Sequence, residues 1–294
     1  MDAVTTVERL ATASGTFALG GSVTVHRLGF GAMRLTGPGI WGPPRDRQEC
    51  VRVLHRAVEL GVDFIDTADS YGPYVSEELI REALHPYAGH LLIATKAGFV
   101  RTGPDAWHVL CDPPYLRQQC EMSLRRLGLE RIDLLQLHRI DHRWPLEEQV
   151  GELRDLQREG KIRFIGLSEV SVEQVEQARR VAQIVSVQNR YNVVDRAADA
   201  ILAHCERHAV AFIPWYPIAA GDVTHPPAEL AAVAHAIDAT PVQVALAWLL
   251  QRSPVMLPIP GTGSVRHLEE NVAAATVGLS AQQMRQLDAL AFTG

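Results

Sequence analysis

From about residue 50 onward, short β-type runs alternate with helical patterns at intervals of about 25 to 35 residues, and this alternation constrains the fold more than any other feature. Each repeat of it is a βαβ crossover, and a succession of crossovers winds a parallel sheet covered by helices. The predicted strands are 27–31, 62–66, 91–95, 132–137, 162–167, 184–187, 211–215 and 255–259. Eight βα units close a single (β/α)8 barrel, the TIM barrel of the α/β class, and 294 residues suit one such domain spanning 1–294. The helix starts agree, since Asp46 with Glu49 and Ser171 with Gln174 have capping-box spacing, and Pro113, Pro114 and Pro241 suit first turns. Ahead of the first strand, Phe17 to Val25 around Gly20-Gly21 predicts an N-terminal β-hairpin placed to plug the bottom of the barrel. Residues 1–15 are expected to be a disordered tail.

The composition narrows the function classes. Hydrophobic residues at 47% supply a sizeable core without a disulfide or metal staple. A formal net charge of -6 with no basic stripe argues against a nucleic-acid-binding surface. Cys50, Cys111, Cys120 and Cys205 are widely spaced without a CxxC pair, so they read as reduced, buried thiols and signal no metal site. No stretch reaches the roughly 18 apolar residues of a membrane span, and Asp2, Glu8 and Arg9 interrupt the first twenty residues. A cytoplasmic protein with no membrane partner is therefore expected, with monomer and homo-oligomer both left open.

The longest irregular stretches, 32–45, 97–112 and 217–226, all follow strands, which puts them at the carboxyl-terminal rim where barrels carry their active sites. At that rim Asp66 ends the second predicted strand, Lys96 follows the third and His138 follows the fourth. Tyr71 stands five residues beyond Asp66, so one loop brings its phenol back over the barrel mouth. Taken singly, each residue has an ordinary structural explanation, but four together at successive strand ends form a proton-donating set. A phenol is a reluctant acid with a pKa of about 10, and an ammonium beside it is expected to lower that value. In this reading Lys96 supplies the charge, Asp66 holds Lys96, and His138 orients the phenol or the substrate oxygen.

Gly61-Val-Asp-Phe-Ile-Asp66-Thr-Ala-Asp-Ser-Tyr71-Gly resembles the aldo-keto reductase signature, and Lys96 and His138 fall where that family keeps the rest of its catalytic tetrad. Arg27-Leu-Gly-Phe-Gly31-Ala-Met, Ser123-Leu-Arg-Arg-Leu-Gly128, Ile132 to His138 and Gly160 to Ser168 are similar to further family segments, in order along nearly the whole chain. The resemblance implies an oxidoreductase that reduces a small-molecule carbonyl with a nicotinamide cofactor laid across the barrel mouth, NADPH in preference to NADH. It implies that Ser168 and Gln188 hold the carboxamide, that Trp215 stacks on the nicotinamide ring, and that Gly31, Met33, Pro217 and Ile218 lie along the cofactor. Glu169 stands where the family often has Asn. Around the predicted last helix start, the resemblance puts Thr262, Ser264 and Arg266 at the 2′-phosphate and Glu270 and Asn271 at the adenine, with Gly261 and His267 in the same cofactor-binding segment where the family often has Lys and Arg.

Substrate identity is weakly written. Trp41, Tyr74, Phe99, Trp107 and Tyr216 fall in or beside rim loops and suit an aromatic pocket. The run from Arg27 to Arg47 is similar to a bacterial branch that includes pyridoxal reductases, which makes pyridoxal or another aromatic aldehyde the named candidate. Two other classes compete. A Schiff-base aldolase would use Lys96, but a lysine paired with Asp66 stays charged and cannot attack. A cofactor-binding sensor subunit fits the same family resemblance, but the intact tetrad argues for catalysis.

Overall fold

The computed structural model describes residues 9–218 and 226–290. In chain order the elements are β1 (Thr16–Leu19), β2 (Val23–His26), β3 (Phe30–Gly31), α1 (Arg47–Glu59), β4 (Phe64–Asp66), α2 (Val75–Leu84), β5 (Leu92–Ala97), β6 (Phe99–Gly103) and β7 (Ala106–Val109). There follow α3 (Pro113–Leu127), β8 (Ile132–Leu137), α4 (Leu146–Arg158), β9 (Ile162–Ser168), α5 (Val172–Arg179), β10 (Ile184–Gln188), α6 (Asp199–His208) and β11 (Ala211–Phe212). The chain closes with α7 (Ala228–Ala236), α8 (Pro241–Arg252), α9 (Val265–Ala273) and α10 (Ala281–Asp288). No single helix among the described residues is long and apolar enough to cross a membrane.

Local chemistry sets the helix ends. The Asp46 carboxylate accepts from the Glu49 amide at 2.8 Å at the start of α1, and reciprocal capping boxes open α5 at Ser171 and Gln174 and α8 at Thr240 and Gln243. Each such cap contributes about 1 kcal/mol. Of the expected 1–15 tail, residues 1–8 lie outside the described residues. Leu10–Ser14 instead forms a 3-10 turn, anchored by buried Ala11 and Ser14, with the Ser14 hydroxyl accepting from the Leu28 amide at 3.1 Å.

Seven strands pair in parallel in the order β11-β10-β9-β8-β5-β4-β3, one fewer than the eight expected. The missing stretch, 255–259, makes one parallel bridge, Met256 to Phe212, yet its backbone reaches both edges of the sheet. Phe212 N–H donates to the Val255 carbonyl and Leu257 N–H to the Phe212 carbonyl, each at 2.8 Å; on the other side, Gly29 N–H donates to the Pro258 carbonyl at 3.0 Å. Pro258 and Pro260 have no N–H to return, so a continuous ladder cannot form along this stretch.

Inward residues of the sheet, among them Phe64, Leu92, Leu134, Phe164 and Leu257, pack with Leu19 and Val25 of the antiparallel β1-β2 pair in one buried cluster. Gly20 in the turn of that pair has φ +57°, and a Cβ there would lie 2.5 Å from the Phe164 ring, so the turn seats on the cluster only as glycine. Helices cover the outside through a larger cluster that runs from Leu116 of α3 to Leu249 of α8. The rim loops carry more order than expected. Residues 97–112 contain the antiparallel pair β6-β7, and 32–45 contain 3-10 turns at Ala32–Leu35 and Pro38–Ile40. Most of 217–226 lies outside the described residues.

Candidate active site

Parallel register gathers the polar residues at one end of the sheet. Asp66 pairs with Ala94 and with Gly31, Lys96 with Gln136, Gln136 with Gly166, and Gln188 with Ser168. Side chains alternate faces along a strand, so Leu134 and Gln136 share an inward face, and His138 follows where β8 ends. Gly166 makes room inside, since a Cβ there would meet Ser186 Oγ at 2.2 Å and Gln136 Cγ at 2.9 Å.

Lys96 is wholly buried and spends all three of its donors on the site. Its Nζ lies 2.5 Å from Asp66 Oδ2, 2.9 Å from the Thr67 carbonyl and 3.4 Å from the Tyr71 hydroxyl. The other Asp66 oxygen accepts from Gln136 Nε2 and Gln188 Nε2, each at 2.9 Å. The carboxylate is thus fully occupied and cannot turn away from the lysine. His138 presents its Nδ1 to Ser70 Oγ at 3.4 Å, and its ring meets Tyr71 edge to face with centroids 5.9 Å apart. The expected closeness of the Tyr71 hydroxyl is therefore a hydrogen bond to Lys96 and a ring contact with His138.

The electrostatics correct one expectation. Burial raises the Tyr71 phenol above its ordinary value; the Lys96 charge pulls it down, Asp66 pushes it back up, and the net displacement is upward. Burial also works against the Lys96 ammonium, but Asp66 and Tyr71 together outweigh it and hold the lysine above its ordinary value. His138 is held well below the usual imidazole range by burial and then by the Lys96 and Arg139 charges. At neutral pH the site therefore holds a protonated phenol, a charged lysine and a neutral histidine.

These groups face a cavity of about 410 Å³. Of the expected residues, Asp66, Tyr71, His138, Gly31, Met33, Ser168, Gln188, Trp215, Pro217, Ile218 and Gly261 line it. Lys96 lies behind the wall. Thr262, Ser264, Arg266, His267, Glu270 and Asn271 do not line it but follow Gly261 into α9. A second cleft shares Met33 and Arg34 with the first and reaches Gly263, so the groove continues toward the start of α9. Glu169 adopts φ +56° and does not line the cavity, its Oε1 accepting from Trp215 Nε1 at 2.5 Å and Arg190 N–H at 2.7 Å. It thereby fixes the plane of the Trp215 indole. Of the aromatic candidates, Phe99, Trp107 and Tyr216 line the cavity; Tyr74 is exposed and packs on Arg126, and Trp41 stands behind Arg101.

Several working residues were not foreseen. Arg101 lies 3.5 Å from the Trp107 ring and donates to the carbonyls of Ile40, Ser70, Gly39 and Ala106, which staples three rim loops around Tyr71. Arg139 donates to the His138 carbonyl at 2.6 Å and to Ser168 Oγ at 3.1 Å. Gln136 had a usable signal, since it precedes His138 by two along one strand; Arg101 had none, because its partners are backbone carbonyls of distant loops. At the start of α9, the Val265 amide donates to Glu49 Oε1 at 3.0 Å, so a carboxylate from α1 already occupies one donor of the expected phosphate site.

A nicotinamide cofactor fits these residues. The flat indole of Trp215, the cavity walls and the groove leading to the α9 N-terminus match an aromatic ring joined to phosphates; Ser264 itself does not cap α9, although Glu49 holds the Val265 amide there. The fit is less complete at Gln188, whose amide nitrogen is already given to Asp66. Comparison with known proteins agrees with this geometry. The sequence profile described as the Aldo/keto reductase family matches residues 27–291. An uncharacterized oxidoreductase of Schizosaccharomyces pombe is 53% identical over 278 residues, covering 95% of this chain and 90% of the relative. The pyridoxine 4-dehydrogenase of Escherichia coli is 45% identical over 284 residues, covering 94% and 98%. The crystal structure of an aldo-keto reductase from Klebsiella pneumoniae in complex with NADPH superposes with a TM-score of 0.79 at 27% identity, covering 94% of each chain.

Proposed function

The chain belongs to the aldo/keto reductase family, and from that premise we propose that it reduces an aldehyde or ketone to an alcohol with NADPH, Tyr71 acting as the general acid. The observation that carries this reading is the placement of Lys96 between Asp66 and Tyr71 at the wall of the cavity. A dihydronicotinamide, when held against Trp215, would supply the hydride for the carbonyl carbon. Tyr71, protonated at neutral pH, gives its hydroxyl proton to the carbonyl oxygen as negative charge builds there. Lys96, held charged by Asp66, stabilises the phenolate that remains. Neutral His138 orients the carbonyl oxygen without competing as a proton donor.

The ion pair at Lys96 also weighs against an aldolase, because an amine attacks a carbonyl only when neutral. For the substrate, Phe99, Trp107 and Tyr216 give the cavity aromatic walls, which suits an aromatic aldehyde. Pyridoxal is the first candidate on the strength of the pyridoxine 4-dehydrogenase relative. The test is NADPH oxidation with a panel of aldehydes. Turnover of pyridoxal or another aromatic aldehyde above that of small aliphatic aldehydes is expected; aliphatic preference would remove the aromatic reading, and no turnover with any carbonyl would remove the reductase.

A further inference from the structure

We propose that Glu176, His204 and His208 form a binding site for one divalent transition-metal ion, best matched by Zn²⁺, between helices α5 and α6 and outside the catalytic cavity. The two histidines stand four apart on α6 and so project from one face, while Glu176 reaches across from α5. One ligand atom from each lies within 4.8 Å of the others. His204 Nε2 and Glu176 Oε1 are 3.3 Å apart. Tetrahedral zinc with bonds of about 2.0–2.1 Å sets neighbouring ligand atoms about 3.3–3.4 Å apart, so this pair already has the spacing of a coordination edge. The His208 ring lies with its centroid 4.5 Å from that of His204 and is exposed, so a change of rotamer closes the third ligand.

A second observation points to a ligand independently. His204 is 97% buried, and its Nε2 has no hydrogen-bond partner despite the nearby carboxylate. A buried ring nitrogen without a partner is costly, and an ion bound to it would satisfy it. Burial, then the His208, Arg179 and Arg207 charges, hold the His204 imidazole below its ordinary value against the pull of Glu176, which favours the neutral ring that coordinates. Arg179 Nη1 donates to Glu176 Oε1 at 2.8 Å, so an arriving ion replaces a guanidinium on that carboxylate. Glu176 and His208 face solvent, which leaves an entry path and room for water as the fourth ligand.

The experiment is calorimetric titration of ZnCl₂ into the full chain stripped with a chelator, alongside the thermal midpoint with and without Zn²⁺. His208→Ala and Glu176→Gln both change exposed side chains, so the variants test ligation rather than folding. Wild type is expected to bind one equivalent saturably and to melt higher with Zn²⁺, while each variant binds at least about tenfold more weakly and loses the shift. Absence of saturable binding, or binding unchanged in both variants, overturns the proposal.

Discussion

The Lys96 ammonium stands 2.5 Å from Asp66 Oδ2 and 3.4 Å from the Tyr71 hydroxyl, so one cation serves as the anchor of a buried carboxylate and as the charge behind the phenol.

That double role predicts the behaviour of Lys96→Met. With the lysine gone, Asp66 keeps its two glutamine donors but loses its counter-charge while 2% exposed. Breaking a buried pair from one side costs on the order of 3–5 kcal/mol, whereas removing both charges costs less. Urea unfolding should therefore show Lys96→Met strongly destabilised and Asp66→Asn/Lys96→Met partly restored. Equal losses in the single and double variants would contradict the pairing.

His138 gives the site a pH signature. Its folded-state value is well below the ordinary one, so as pH falls below about 6.5 the unfolded chain takes up a proton that the folded site refuses. Stability should fall with acidification across that window, and His138→Gln should remove up to about 1.36 kcal/mol per pH unit of the slope. His204 is displaced in the same direction and adds its own share, which the variant leaves in place. Turnover in the reductive direction should likewise show no inflection near pH 6.5. An inflection there that His138→Gln abolishes would mean the ring titrates normally.

Three of the four candidate residues are legible in the sequence because they sit at or beside strand ends fixed by local patterns, Asp66 after Phe64-Ile65, Lys96 within a buried apolar run and His138 two beyond Gln136, while Tyr71 is placed by its distance from Asp66 in the following loop. Residues 255–259 pair less fully than the strand pattern predicts, because an apolar run says nothing about which amides are missing, and Pro258 and Pro260 break the ladder while leaving the chain on course. The downward shift expected for Tyr71 failed for a related reason. Sequence shows the neighbouring ammonium but not the burial that opposes it. The Arg101 staple depends on contacts between separate loops that no spacing in the chain reveals, and in the Glu176–His204–His208 cluster spacing reveals only the His204/His208 pair, not the contact with Glu176 of a neighbouring helix.

The Arg101 staple predicts a positioning effect. Arg101→Met keeps the length of the side chain but frees the carbonyls of Gly39, Ile40 and Ser70 and the Trp107 ring. Misplacing Tyr71 and Trp107 slightly should lower kcat/KM for the aldehyde by about tenfold or more, while NADPH affinity changes little because Ser168, Trp215 and α9 are untouched. Parallel loss of cofactor binding would show instead that the whole rim had collapsed.

The start of α9 tests cofactor choice. Arg266 lies exposed with its Nη2 2.7 Å from His267 Nε2 at the start of α9, while Glu49 holds the Val265 amide and is itself paired with Arg52. If the proposed phosphate contact holds, Arg266→Ala should weaken NADPH more than NADH, and Glu49→Gln should favour NADPH by removing a negative charge beside it. Fluorescence titration of both cofactors reads this directly. Identical changes for NADPH and NADH in both variants would place the phosphate elsewhere.

The central claim is that the Tyr71 hydroxyl delivers the proton, and single-turnover reduction of an accepted aldehyde by Tyr71→Phe tests it most directly, with NADPH binding measured separately. The substitution removes one oxygen from a buried ring and leaves the Trp107 and His138 ring contacts in place. Positioned proton transfer contributes about 10² to 10⁴-fold, so hydride transfer should slow by that factor while NADPH affinity stays within about twofold of wild type. Near-normal hydride transfer in Tyr71→Phe would contradict the assignment.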